Sequence, residues 1–201
     1  MALVDAYDSI IFDYGGVLVH PQSDEDQARM AGLIGIPPKQ LPELYWARRA
    51  EYDRAALTAP EYWWDVAQNA GKELSDETIQ RLTEIDTVGW MHFDEPMWQW
   101  IKQLKESGKR LAVLSNMPRE LGEALKQGDR FRLFHHVTLS YETLTAKPDR
   151  AIYESCLAGL SATPGTTLFF DDRMENIKGA EAAGIHGIQF LNRDEVLLRV
   201  A

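Results

Sequence analysis

Cysteine is almost absent from this chain of 201 residues: Cys156 is the only one. No intrachain disulfide is therefore possible, which suits a reducing compartment, and a lone cysteine in a helical stretch reads as a small buried apolar side chain. Long hydrophobic runs are missing too, and none approaches the roughly 20 residues a bilayer-spanning helix needs. Met1 to Asp8 show no basic region ahead of an apolar segment, so an unprocessed cytoplasmic protein with no membrane partner is expected. Basic residues are the minority, 21 Lys and Arg against 31 Asp and Glu, for a net charge of −10. That balance argues against nucleic acid or an anionic lipid surface as the main partner. Internal repeats, low-complexity tracts and long linkers are also lacking. With 45% hydrophobic and 26% charged residues, the composition is that of a globular protein with a substantial core.

Against these absences stands one informative stretch, Ile10-Ile11-Phe12-Asp13-Tyr14-Gly15-Gly16-Val17-Leu18. A short β-forming run delivers an aspartate to the end of a strand, and two glycines then let the backbone turn tightly around a ligand. Residues 22–93 change character, with helical periodicity and almost no strand signal. Four helices are predicted there: one capped at Ser23 or Asp24 and running to Gly35, one over 39–57, one from Thr58 to Gly71, and one from Ser75 to Val88. Short connections between them make a small helical bundle. From Pro96 onward helix and strand alternate. Helices are expected over 97–106, 118–126, 149–158 and 175–183, and strands over 110–114, 137–140, 167–170 and 186–190. Alternation of this kind implies βαβ units and a parallel sheet. The predicted fold is α/β, a doubly wound, Rossmann-like core formed by residues 1–19 and 94–201, split by an inserted helical domain over 20–93.

Polar residues follow at once where four of these strands should end: Asp13, Ser115-Asn116, Lys147-Pro148 and Asp171-Asp172. In a parallel sheet these ends share one edge, so the residues should meet in a single cleft. Carboxylates from two strands suit a hard cation with oxygen ligands, which points to Mg²⁺. Ser115 and Asn116 offer donors to phosphate oxygens at a helix start. Lys147 offsets the crowded aspartates and an anionic transition state, and Asp13 is placed to attack phosphorus.

Phe12 to Leu18, Leu114-Ser115-Asn116, Ala146-Lys147-Pro148 and Phe170-Asp171-Asp172, followed by Asn176-Ile177-Lys178-Gly179-Ala180, resemble the four ordered motifs of the haloacid dehalogenase superfamily. The helical block between the first and second motifs resembles that family's C1 cap of subfamily I. The resemblance implies a phosphatase in which Asp13 is nucleophile and magnesium ligand and the Gly15 carbonyl a further ligand. Asp172 would bind the metal directly and Asp171 through water, Ser115 and Asn116 would bind phosphate, and Lys147 would steady both phosphate and nucleophile. The expected substrate is a small phosphorylated metabolite, with sugar phosphates favoured, and the expected state is a monomer or homodimer.

One position departs from the family pattern. Its phosphatases usually carry an acid–base aspartate two residues after the nucleophile, where this chain has Gly15. Either the leaving group departs with little help, as the anomeric oxygen of a sugar 1-phosphate does, or another group does the work; Tyr14 and His20 are the nearest substitutes, though packing and hinge roles explain both. Two other readings stay open: a catalytically weak module that binds a phosphorylated ligand or a protein, and a 2-haloacid dehalogenase, which fits the Asp171-Asp172 pair poorly. Among Tyr45, Trp46, Tyr52, Tyr62, Trp63, Trp64 and Trp90, most should be bundle core. Trp63 and Trp64 cannot share a helical face, so one of them is expected at an interface or the cleft. Arg48, Arg49 and Arg54 could meet a second anionic group on a substrate, though solvated helix faces explain them adequately, and His92, His135 and His136 read as structural.

Overall fold

The computed structural model describes residues 3–194 and Val196. Five parallel strands lie at its centre: β1 (Ser9–Phe12), β2 (Arg110–Ser115), β3 (His136–Leu139), β4 (Thr167–Asp171) and β5 (His186–Gln189), in the order β3-β2-β1-β4-β5. Phe12 of β1 stands opposite Val113 of β2 and Phe170 of β4. The residues that follow β1, β2 and β4 therefore emerge side by side on one edge. That edge, outside the carboxyl ends of adjacent parallel strands, is where open α/β sheets bind ligands.

Both faces of the sheet are covered, which is why its strands are continuous apolar runs. Alternation decides which side chain goes where. Ile10, Phe12, Leu111, Val113, Leu168 and Phe170 pack on α6 (Glu95–Glu106) and α7 (Arg119–Gln127) through Trp98, Ile101, Leu121 and Leu125. Ile11, Ala112, Leu114 and Phe169 point the other way, onto α9 (Arg150–Leu160) and α10 (Met174–Ala182) through Ile152, Tyr153, Cys156 and Ile177. Cys156 is fully buried, as expected.

Helices α1 (Asp24–Ile34), α2 (Leu41–Ala47), α3 (Arg49–Asp53), α4 (Ala59–Asn69) and α5 (Asp76–Gly89) form the inserted block. They have a core of their own, built on Met30, Ile34, Leu41, Tyr62, Trp63 and Leu82. The sequence signals for their starts are real caps. Ser23 and Thr58 each form a capping box, with Asp26 and Glu61 respectively, and the Ser75 side chain accepts from the Thr78 amide. Val19 bridges both Gly15 and Phe93, so the chain leaves and re-enters the sheet domain at adjacent points.

Two elements differ from expectation. The predicted helix over 39–57 is a 3₁₀ turn (Pro38–Gln40) followed by α2 and α3, broken at Arg48, whose φ of −129° and ψ of 21° leave the helical region. Buried Leu41, Tyr45, Arg49 and Tyr52 keep helical spacing across the break, which is why the sequence reads as one helix. Lys147 does not follow β3 directly, because a short helix, α8 (Ser140–Thr143), intervenes. No helix among the described residues is long and apolar enough to cross a membrane. Residues 1–2, 195 and 197–201, included in the expected core domain, lie outside the described residues.

Candidate active site

Asp13 follows the last residue of β1, and its amide donates to the Phe170 carbonyl, which carries the sheet register one residue past the strand. Its carboxylate is used asymmetrically. Oδ1 accepts from the Tyr14 amide at 2.6 Å and pairs with Lys147 Nζ at 2.7 Å, while Oδ2 has no hydrogen bond among the described residues. One oxygen is thus anchored and the other is left for chemistry.

Lys147 is buried between two carboxylates, with Asp171 Oδ2 at 2.6 Å on its other side. Asn116 fixes the loop that brings it there: its side-chain oxygen accepts from the Lys147 amide at 2.8 Å and its Nδ2 donates to the Lys147 carbonyl at 2.9 Å. The Asn116 side chain is therefore committed to positioning Lys147. The Ser115 hydroxyl makes one long contact, 3.5 Å, to the Asn116 carbonyl and remains open towards the cleft.

Asp171 and Asp172 are neighbours with different surroundings. Both oxygens of Asp171 are filled by protein donors: Lys147, the Arg173 amide at 2.8 Å, and Asn176 Nδ2 at 3.0 and 3.1 Å. Asp172 is exposed to the cleft. Gly16 makes room for it: φ there is +71°, and a Cβ would stand 2.9 Å from Asp172 Oδ2. Carboxylate oxygens of Asp13, Asp171 and Asp172 all lie within 4.8 Å of one another. Burial pushes the Asp13 carboxyl well above the usual range; Lys147 opposes this, and the charges of Asp171 and Asp172 add to it. Burial also works against charge on Asp171, but Lys147 and the other donors outweigh it and hold that carboxyl low. Three carboxylates against one ammonium leave two negative charges uncompensated, which is the demand a divalent cation meets. The donor set fits one: hard oxygens from two strands, with Asp13 Oδ2 and the Asp172 carboxylate open to the cleft.

These groups line one end of a cleft of about 720 Å³ whose far side is built by the helical insert. Sequence comparison matches residues 7–184 to the haloacid dehalogenase-like hydrolases. The chain belongs to that family. A sesquiterpene phosphatase of Aspergillus oryzae is 28% identical over 185 residues, 90% of this chain and 89% of that protein. A drimenol cyclase of Aspergillus calidoustus is 25% identical over 94% of this chain, which spans only 35% of that longer relative. Among solved structures, a family enzyme of Bacteroides thetaiotaomicron in complex with magnesium and inorganic phosphate superposes with a TM-score of 0.72 at 21% identity, over 96% of this chain and 100% of that one. The likeness establishes the haloacid dehalogenase-like fold.

Within this hydrolase fold, the surroundings of Gly15 were not legible in the sequence. A Cβ at position 15 would stand 3.3 Å from Trp90 Cζ3, so an indole from the end of α5 lies close over this glycine. Trp90 is held there by Nε1 donating to the Tyr45 hydroxyl at 2.9 Å and by its carbonyl accepting from the Tyr14 hydroxyl at 2.8 Å. That bond commits the Tyr14 proton. His20 is exposed, 3.9 Å from Asp94 and outside the cleft lining. The solvated-face reading fails for Arg49, which is only 4% exposed: it pairs with Asp53 at 2.7 Å and Asp86 at 3.0 Å and lies against the rings of Tyr45 and Tyr52. Arg48 and Arg54 stay nearer the surface. Trp63 is core, whereas Trp64 and Trp46 are each more than half exposed, and of the two only Trp46 lines the cleft. His92 pairs with Asp26 at 2.8 Å and His135 accepts from the Leu111 amide, both away from the carboxylate cluster.

Proposed function

We propose that this chain is a magnesium-dependent phosphomonoester hydrolase acting on a small phosphorylated metabolite through an aspartyl-phosphate on Asp13. The observation that carries the reading is the carboxylate cluster, held by one buried lysine, at the closed end of a cleft large enough for an organic phosphate. A sesquiterpene phosphatase among the relatives, and the magnesium and phosphate bound by the Bacteroides enzyme, point the same way. Residues 20–93 would be the cap that closes over the substrate and keeps bulk water out.

The Asp13 carboxylate, Asp172 and the Gly15 carbonyl would hold Mg²⁺, with Asp171 acting through water. When bound, the ion would neutralise charge on the transferring phosphoryl group. Ser115 and the main chain at Asn116 would orient the phosphate oxygens. Lys147 pulls against the burial that raises the Asp13 carboxyl, favouring its anionic, attacking form, and faces the developing negative charge. Attack by Asp13 Oδ2 forms the new O–P bond as the ester O–P bond breaks; water then cleaves the acyl phosphate, regenerates Asp13 and releases inorganic phosphate. Carbon–halogen hydrolysis is disfavoured because such a site has no use for three crowded carboxylates. Gly15 is the one observation on the side of a weakly catalytic, phosphate-binding module.

The test is phosphate release from aryl and hexose phosphates with and without Mg²⁺, by the wild type and by Asp13→Asn. Turnover that needs both the metal and Asp13 supports the hydrolase. If both proteins bind inorganic phosphate and neither releases it from any ester, the binding-module reading takes its place.

A further inference from the structure

Resting on the phosphatase reading, we propose that the substrate is an aryl phosphate whose aromatic leaving group lies against the joined indoles of Trp46 and Trp90. Three independent features of the cleft converge on this class.

The first is the want of a proton donor for the departing oxygen. Gly15 offers no acid–base side chain, and the Trp90 ring lies close over it, near where a Cβ of residue 15 would be. The Tyr14 hydroxyl is committed to the Trp90 carbonyl, one oxygen of Asp53 to Arg49, and Glu175, also on the cleft lining, is paired with Arg173. A leaving group that receives no proton has to be stable as an anion. A phenol, with a pKa near ~10 as in tyrosine, meets that condition far better than an aliphatic alcohol.

The second is the wall. Trp46 is 54% exposed although it borders the cleft, and its ring meets Trp90 edge-on with centroids 6.4 Å apart. A large aromatic surface left open next to a phosphate site is suited to a flat ring, which gains both apolar burial and edge or face contacts with the indoles.

The third is continuity. Beyond the two tryptophans lies a side pocket of about 200 Å³ in which Pro21, Leu41, Pro42, Tyr45 and the two indoles outnumber the polar Gln22 and Gln27. Both indoles border both cavities, so a substrate with more than one ring would extend from the phosphate site past Trp46 while staying against the indoles. The Arg49 charge is already matched by Asp53 and Asp86, so this cleft-lining arginine is not a spare cation for a second anionic group.

The balanced step is attack of Asp13 Oδ2 on phosphorus with departure of an aryloxide, which takes its proton from solvent; water then cleaves the acyl phosphate. The experiment compares 2-naphthyl phosphate, octyl phosphate and glucose 6-phosphate as substrates of the wild type and of Trp46→Ala, with inorganic phosphate as product inhibitor. Titration with 2-naphthylphosphonate, which cannot be hydrolysed, reads binding apart from turnover. Trp46 is exposed, so its removal leaves the fold intact. The expected result is preference for the naphthyl ester over both others. In Trp46→Ala, KM for that ester and Kd for the phosphonate rise roughly tenfold, the change that loss of one aromatic contact brings, while the inhibition constant of inorganic phosphate stays the same. Tryptophan-dependent binding of the phosphonate without any turnover would uphold the aromatic subsite and sink the phosphatase reading. Turnover of glucose 6-phosphate or octyl phosphate at an equal or higher kcat/KM, or a phosphonate Kd unchanged in Trp46→Ala, would overturn the proposal and leave the phosphatase reading standing.

Discussion

Replacing Gly15 by aspartate would supply the carboxylate that the family's phosphatases usually place two residues after the nucleophile, and here it should harm the protein. The Gly15 backbone is not in the left-handed region, so no main-chain penalty arises. The cost is in the side chain. Its Cβ would stand 3.3, 3.8 and 3.9 Å from three atoms of the Trp90 ring, and the carboxylate, one bond further out, would press the indole aside. Moving the ring breaks the 2.9 Å bond from Trp90 Nε1 to the Tyr45 hydroxyl. Overpacking of this kind costs about 1–3 kcal/mol, and the lost hydrogen bond about 1 more. In a Trp90→Ala background the same aspartate enters vacated space, so a double-mutant cycle should show a coupling of about 1–3 kcal/mol favouring the double variant. Urea unfolding of the four proteins measures it. The activity arm follows from the same geometry: the double variant should gain on glucose 6-phosphate, by up to ~10²–10⁴-fold if proton transfer limits the rate, and gain little on an aryl ester. If Gly15→Asp alone is as stable as the wild type, and the cycle is additive within about 0.5 kcal/mol, then the indole does not lie close over that glycine and the account of Gly15 is wrong.

Lys147→Met leaves Asp13 and Asp171 buried without their shared cation, so it should destabilise by about 3–5 kcal/mol and abolish turnover. Part of that stability should return with millimolar Mg²⁺, read as a shift in the thermal midpoint. Gly16→Ala forces a methyl to 2.9 Å from Asp172 at a φ of +71°, which costs about 1–2 kcal/mol in backbone strain. It should also weaken activation by Mg²⁺, measured as the metal concentration giving half-maximal rate. Arg49→Met strands the buried carboxyl of Asp53, which burial already raises above the usual range against the pull of Arg49. Because the variant's folded Asp53 pKa lies above its unfolded value, the penalty, about 3–5 kcal/mol at neutral pH, should shrink as pH falls through the folded pKa. Urea midpoints of variant and wild type at pH 8 and pH 5 check the sign, and a gap that widens at pH 5 contradicts it. Burial pushes the Cys156 thiol up to about 12, so a thiol-reactive chromogen should label the folded protein only after denaturant is added.

Local chemistry was enough to set the frame of this protein. Apolar runs broken by polar residues predicted the parallel strands, and alternation within each run decided which side chains face which layer of helices. Because parallel strands end on one edge, the sequence alone also brought Asp13, Ser115, Asn116, Lys147, Asp171 and Asp172 to a common cleft, and the structure places all six there or beside it. Caps at Ser23, Thr58 and Ser75 were legible for the same reason, since each depends on groups within three residues. What only the tertiary structure decided depends on contacts across long separations. Asp171 and Asp172 are chemically identical in the sequence, and only the folded positions of Lys147 and Asn176 satisfy one and leave the other open. Arg49 looks solvated until Asp86, 37 residues away, is brought against it. The break at Arg48 is hidden by an unbroken helical stripe of buried residues, because periodicity reports which side chains are buried and not whether the backbone between them is continuous. Gly15 carries no side chain to signal its surroundings, and the ring that lies close over it comes from Trp90, at the far end of a helical insertion whose packing no local rule predicts.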